Sequence, residues 1–129
     1  MSLATSTIAT MLPVTDTARA KEFYADRLGL PFVGENPLGE LQFRLGGGSM
    51  LVLLPREAGS QSKSTAVSWE VADVETEMAE LEARGVTFED YDMPGLKTVN
   101  HIAEMGADRA AWFLDPDGNV LCLHTTLAS

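Results

Sequence analysis

Residues 113–123 constrain this chain more than any other stretch. Phe113-Leu114 and Val120-Leu121-Cys122-Leu123 are apolar, and Asp115-Pro116-Asp117-Gly118-Asn119 stands between them. Pro116 presets φ for a turn, and Asp117, Gly118 and Asn119 tolerate positive φ, so the chain reverses here. The spacing predicts a β-hairpin pairing 110–114 with 119–124, which commits the end of the chain to antiparallel sheet.

The rest of the chain repeats one unit. Val14, Asp16 and Arg27 match Val71, Asp73 and Arg84 at an offset of 57, and Gly29 and Phe32 match Gly85 and Phe88 at 56. Ser49-Met50-Leu51-Val52-Leu53 then lies beside Asn119-Val120-Leu121-Cys122-Leu123 at an offset of 70. Such self-similarity marks an internal repeat. In the first copy, 7–14 reads as a strand and Asp16 as a helix N-cap. Ala20, Phe23, Tyr24 and Leu28 then share a helical face that Gly29 closes. Leu30-Pro31-Phe32-Val33 follows as a strand, and strands 41–45 and 49–54 flank a turn at Gly46-Gly47-Gly48. In the second copy, Ala66-Val67-Ser68-Trp69-Glu70-Val71 is a strand and Asp73 caps a helix with Val74, Met78 and Leu81 on its inner face. Gly85 ends that helix, 86–89 is a strand, and 90–107 is a loop leading to the closing hairpin. Each half is therefore β-α-β-β-β, and the expected class is α+β.

One domain, 1–129, accommodates this pattern, with module one at about 7–54, a polar linker at 55–65 and module two at about 66–125. No apolar run approaches the roughly 20 residues of a membrane span, and Met1-Ser2-Leu3-Ala4 lacks the basic start of a secretion signal, so a cytoplasmic location is expected. Nineteen acidic against nine basic residues give a formal charge of -10. That charge repels phosphate backbones and argues against nucleic acid; it suits a cationic ligand or simply a solvated surface. The single cysteine, Cys122, forbids an intramolecular disulfide and cysteine-based zinc patterns. The glycine triplet lacks the Lys-Ser/Thr of a phosphate loop.

The chain resembles the vicinal oxygen chelate superfamily: glyoxalase I, bleomycin-resistance proteins and extradiol dioxygenases. The residues that carry the resemblance are Val14-x-Asp16, Phe23-Tyr24, Leu28-Gly29-Leu30 and Asp115-Pro116-Asp117-Gly118-Asn119. It implies that the two modules form a curved mixed sheet, a cup with both helices outside. Members that do metal chemistry hold a divalent ion with His, Gln or Glu from the first and last strands of each module. Carried onto this chain, those positions are Ala9, Val52, Ala66 and Cys122. Three of these side chains have no donor atom, and one thiol does not make a stable divalent site, so neither metal nor cofactor is expected. A rescue would need His101 and His124 to converge with a carboxylate from elsewhere. Cys122 reads either as a nucleophile or as a small buried hydrophobe.

If those four positions face the cup, strand alternation adds Met11, Met50, Leu54, Ser68, Glu70, Val120 and His124. In extradiol dioxygenases a pocket aromatic precedes the closing ligand by ten residues, and Trp112 stands ten before Cys122. The expected ligand-binding set is Met11, Met50, Val52, Ser68, Glu70, Trp112, Cys122 and His124. Glu70 is the one acid expected inside, where burial would make it an anchor or a general base. Segment 93–107, with Pro94, Gly95 and Gly106 as hinges, reads as a lid or as an ordinary packed loop. The resemblance implies a metal-independent small-molecule-binding protein of the bleomycin-resistance type, working as a homodimer. The alternatives are a lyase or isomerase using Glu70 or His101 for proton transfer, and a ligand sensor without turnover.

Overall fold

The computed structural model describes residues 2–105 and 108–125. The chain folds as two compact units, Met1–Gln61 and Ser62–Ser129.

The first unit contains β1 (Ala9–Val14), α1 (Thr17–Lys21), β2 (Phe32–Glu35), β3 (Leu41–Arg44) and β4 (Met50–Pro55). Its sheet has the order β1-β4-β3-β2, with β1 parallel to β4 and the other pairs antiparallel. Asp16 caps α1 by accepting the Arg19 N–H at 3.1 Å. The sequence predicts one regular helix up to Gly29, but past Lys21 it widens over Glu22–Arg27, where the Leu28 N–H reaches the Phe23 carbonyl at 2.9 Å. A regular helix would turn the adjacent Phe23 and Tyr24 about 100° apart. The wider turn lets both be buried, with Tyr24 against Phe43 at a ring separation of 6.0 Å. Gly29, at φ 73°, then ends the helical segment. Strand β2 begins only at Phe32, one residue past Pro31, which has no N–H to give a ladder.

The second unit contains β5 (Thr65–Glu70), α2 (Val74–Ala83), β6 (Asp92–Met93), β7 (Leu96–Val99), β8 (Ile102–Met105), β9 (Asp108–Leu114) and β10 (Val120–Thr125). The order is β5-β10-β9-β8-β7-β6, again with the first strand parallel to the last. Thus β5-β10-β9-β8 repeats β1-β4-β3-β2 strand for strand. Both sheets are mixed and open, and the class is α+β. Asp73 caps α2 by accepting the Glu75 and Thr76 N–H groups, and hydrogen bonds from Thr76, ahead of those from Glu75, hold its carboxyl below the usual range.

Two expectations for this unit are corrected. Residues 86–89 do not form a strand: Phe88 makes one antiparallel bridge to Phe113, and the Glu89 N–H donates to the Trp112 carbonyl at 2.8 Å. The strand that matches β2 is β8, further along. The expected loop 90–107 is instead mostly sheet, with β8 paired to β9 and β7 to β8. Gly95, at φ 83°, makes the turn from β6 to β7, and Asn100 and His101 adopt positive φ between β7 and β8. Pro94 and Gly95 therefore serve a hairpin rather than a hinge; Gly106 and Ala107 lie outside the described residues.

The closing hairpin forms with Val120 opposite Leu114 and Cys122 opposite Trp112. Its turn is built on Asp115, which is 5% exposed. Asp115 Oδ1 accepts the N–H groups of Asp117 and Asn119 at 2.9 and 2.8 Å, and Oδ2 accepts the Asn119 side-chain amide at 2.7 Å. Gly118, at φ 83°, supplies the left-handed residue.

In each unit one sheet face carries the core. In the first, Leu12, Val14, Leu41, Phe43, Leu51 and Leu53 are buried together with Phe23 and Tyr24. In the second, Leu121, Leu123, Ala111 and Phe113 are buried, with Val74, Met78 and Leu81 from α2. Trp69 stacks on Phe113 at 6.4 Å on this same face.

Candidate functional site

The opposite sheet face of the second unit gathers most of the candidate side chains. Register places Ser68 and Trp112 on either side of Cys122, and Glu70 beside His124. These residues alternate with Trp69, Leu121, Leu123 and Phe113, so they point away from the helix-covered face. Ser68 is exposed, Trp112 half-buried and Cys122 buried.

Ser68 Oγ lies 2.6 Å from His124 Nδ1, and His124 Nε2 lies 3.6 Å from Glu70 Oε1. The His124 side chain is 30% exposed and that of Glu70 70%, so Glu70 is a solvated partner of His124 and not the buried acid that alternation suggested. Burial pushes the Cys122 thiol above its ordinary value, and hydrogen bonds from Ser68 and from the Ala111 backbone offset only part of this. A neutral thiol is a poor nucleophile. Cys122 in the folded protein is therefore expected to react with iodoacetamide at pH 8 at least tenfold slower than in 6 M guanidinium chloride, as counted by intact mass.

Trp112 is held on two sides. Its indole N–H donates to Thr65 Oγ1 at 3.0 Å, and Tyr91 meets the ring edge-on at 5.6 Å. Sequence reasoning missed both partners. Thr65 reaches this face because β5 carries an extra residue at Ala66, between the pairs Thr65–Val120 and Val67–Leu121, and this resets the alternation. Tyr91 fell in the stretch read as loop. It is fixed by Thr98, whose Oγ1 accepts the Tyr91 N–H at 2.8 Å and donates to Asp90 Oδ1 at 2.7 Å. Burial, then the nearby Glu89 and Cys122, raise the Tyr91 phenol above its ordinary value.

His101 is not part of this face. It occupies the β7–β8 turn, with Nδ1 3.0 Å from Asp90 Oδ2 and Nε2 3.9 Å from Glu82 of α2. Asp90 is held below the usual carboxylate range by the Thr98 hydroxyl first and then by the His101 N–H. Two strand spacings of about 4.8 Å separate β8 from β10 and three separate it from β5, so His101 does not converge with His124 or Glu70.

In the first unit, Ala9 faces Met50 and Met11 faces Val52 across the β1–β4 pair. Met11 is 47% exposed, Met50 half-buried and Val52 buried, so this face is apolar and partly open. The metal positions implied by the resemblance are thus Ala9 and Val52 here, with Ala66 and the protonated Cys122 in the second unit. This donor set does not fit a divalent ion. Among the described residues no three His, Cys, Asp or Glu side chains group to hold one.

Residues 7–123 match the family described as the Glyoxalase/Bleomycin resistance protein/Dioxygenase superfamily. No curated protein matches the chain. Among solved structures, it is similar to a glyoxalase/bleomycin resistance protein from Streptomyces sp. CB03234, at 28% identity and a TM-score of 0.67, over 92% of this chain and 98% of that one. TnmS3, an antibiotic binding protein from the same organism, is 26% identical with a TM-score of 0.66, over 97% of this chain and 98% of its own. A superfamily member from Sphaerobacter thermophilus DSM 20745 is 26% identical with a TM-score of 0.72, over 94% and 97%. With the family matched across nearly the whole chain and the same fold in these relatives, the chain belongs to the Glyoxalase/Bleomycin resistance protein/Dioxygenase superfamily.

Proposed function

We propose that the main role of this chain is to bind a small molecule, without a metal ion and without transforming it; one relative, TnmS3, is an antibiotic binding protein. The observation that carries the reading is the pairing of Trp112 with its supports, Thr65 and Tyr91, on a face whose metal positions hold Ala66 and Cys122. An indole held by a hydrogen bond and an edge-on ring is preorganised to stack on a planar or cationic ligand. Ser68, Glu70, Cys122 and His124 complete this surface; in the first unit, Met11, Met50 and Val52 are proposed as apolar ligand contacts on that unit's own sheet face. A cytoplasmic homodimer belongs to the same proposal, carried over from the family resemblance. No helix among the described residues is long and apolar enough to cross a membrane.

The test is a thermal-shift screen of metabolites and antibiotics, with fluorescence titration of each hit in excess EDTA and product analysis of the mixture. EDTA is expected to leave affinity unchanged and the hit to be recovered intact. Trp112→Phe is expected to remove most of the emission change and weaken a cationic ligand by about 0.5–2 kcal/mol. Trp69→Phe, on the core face, keeps the response. Binding abolished by EDTA, or a response that follows Trp69, overturns the reading.

A further inference from the structure

We propose that Ser68, His124 and Glu70 form a nucleophile, base and carboxylate relay, giving the second unit an acyl-transfer activity toward small carboxylic esters. The elements are on one exposed face: a hydroxyl 2.6 Å from an imidazole nitrogen, whose other nitrogen lies 3.6 Å from a carboxylate. A nucleophile in contact with a base, and the base in turn oriented by a third group, is the arrangement that activates a serine. Parallel pairing of β5 with β10 creates it, because Ser68 and Glu70 are two apart on one strand and both flank His124 on the next. The relay lies on the same face as the proposed binding surface, uses no atom of Trp112, and goes beyond the binding role.

The chemistry closes with water as the only co-reactant. Ser68 Oγ attacks the ester carbonyl carbon as its proton passes to His124 Nδ1. The bond to the alkoxy group breaks, and that group leaves as an alcohol with the proton from His124. Water then gives a proton to His124 and attacks the acyl carbon; the carboxylic acid departs and Ser68 Oγ recovers its proton. Glu70 acts through His124, from the Nε2 side of its imidazole, and is a positioning residue. The Cys122 sulfur beside Ser68 stays protonated and does not compete. The carboxylate of Glu70 and the acidic chain favour uncharged or cationic esters.

The test uses the full chain and an alkyl fluorophosphonate, which a base-activated serine displaces at P–F with loss of fluoride and a proton. Peptide mapping is expected to find one adduct, on Ser68, absent in Ser68→Ala. His124→Gln is expected to slow labelling by about 100-fold or more. Glu70→Gln is expected to slow it by about tenfold and Glu70→Asp to recover part of the rate. The described titratable groups facing His124 are Glu70 on β5 and Cys122 on its own strand; β9 presents Ala110. Should His124→Gln not fold, the wild-type profile decides, because base-assisted labelling climbs with pH to a plateau. No adduct on Ser68, an adduct on Cys122 instead, a rate unchanged in His124→Gln, or a flat pH profile overturns the proposal.

Discussion

Phe113→Ala is expected to destabilise the protein by about 3–5 kcal/mol, as read from urea denaturation with an unchanged m-value. Phe113 is fully buried, stacks under Trp69 at 6.4 Å and meets Phe88 at 5.1 Å. Truncation leaves a void bounded by two rings and by the strand backbone, and that backbone is held in ladder bonds that prevent collapse. Phe113→Leu, which keeps most of the volume, should lose about 1–1.5 kcal/mol. The neighbouring Trp112→Phe, on the opposite face, should cost less than Phe113→Ala. Equal losses at 112 and 113 would mean that the two faces are not distinguished as described.

Asp115→Ala should be nearly as damaging, at about 2–4 kcal/mol, for a different reason. Its carboxylate is the acceptor for two backbone N–H groups and for the side chain of Asn119, which is 1% exposed. Without it those donors lose this acceptor in a turn where Asn119 is buried and Asp117 half-buried, which costs more than the bonds themselves contribute. Asp115→Asn should recover part of the loss, since one oxygen can still accept while the new amide opposes that of Asn119. Melting temperatures of the three proteins, with the hairpin amides followed by hydrogen exchange, check the order wild type, Asn, Ala. A loss from Asp115→Ala no greater than an ordinary surface substitution would remove the turn from its place in the fold.

These two side chains also show what was legible beforehand. The Asp-Pro-Asp-Gly-Asn turn carries its conformation in its residue types, and apolar alternation then assigns Phe113 to one face and Trp112 to the other once the register is known. The same holds for both N-caps, Asp16 and Asp73, because a short carboxylate before an amphipathic run has few other uses. What was missed depends on geometry that residue types do not encode. The extra residue at Ala66 brings Thr65 to the indole of Trp112, and nothing in Thr65-Ala66-Val67 announces a bulge. The widened helix at Glu22–Arg27 answers a packing demand from Phe43, a residue far along the chain. Segment 90–107 was misread because Pro94-Gly95 and Asn100-His101 looked like loop composition. They are turns between short strands, and Thr98 ties those strands to Asp90 and Tyr91. Glu70 lies on the same strand face as Ser68, but at the strand's end, where water reaches it.

The parallel partnership of first and last strands has a consequence for how the protein is made. Ala9 has no ladder partner until Met50 has been synthesised, and Thr65 none until Val120. Everything between them must be looped out before either edge is satisfied, and such distant pairings slow folding. The strand translated first in each unit is therefore the last to be captured. A ribosome paused before Met50 or before Val120 would present β1 or β5 as an unpaired edge, open to association with another nascent chain.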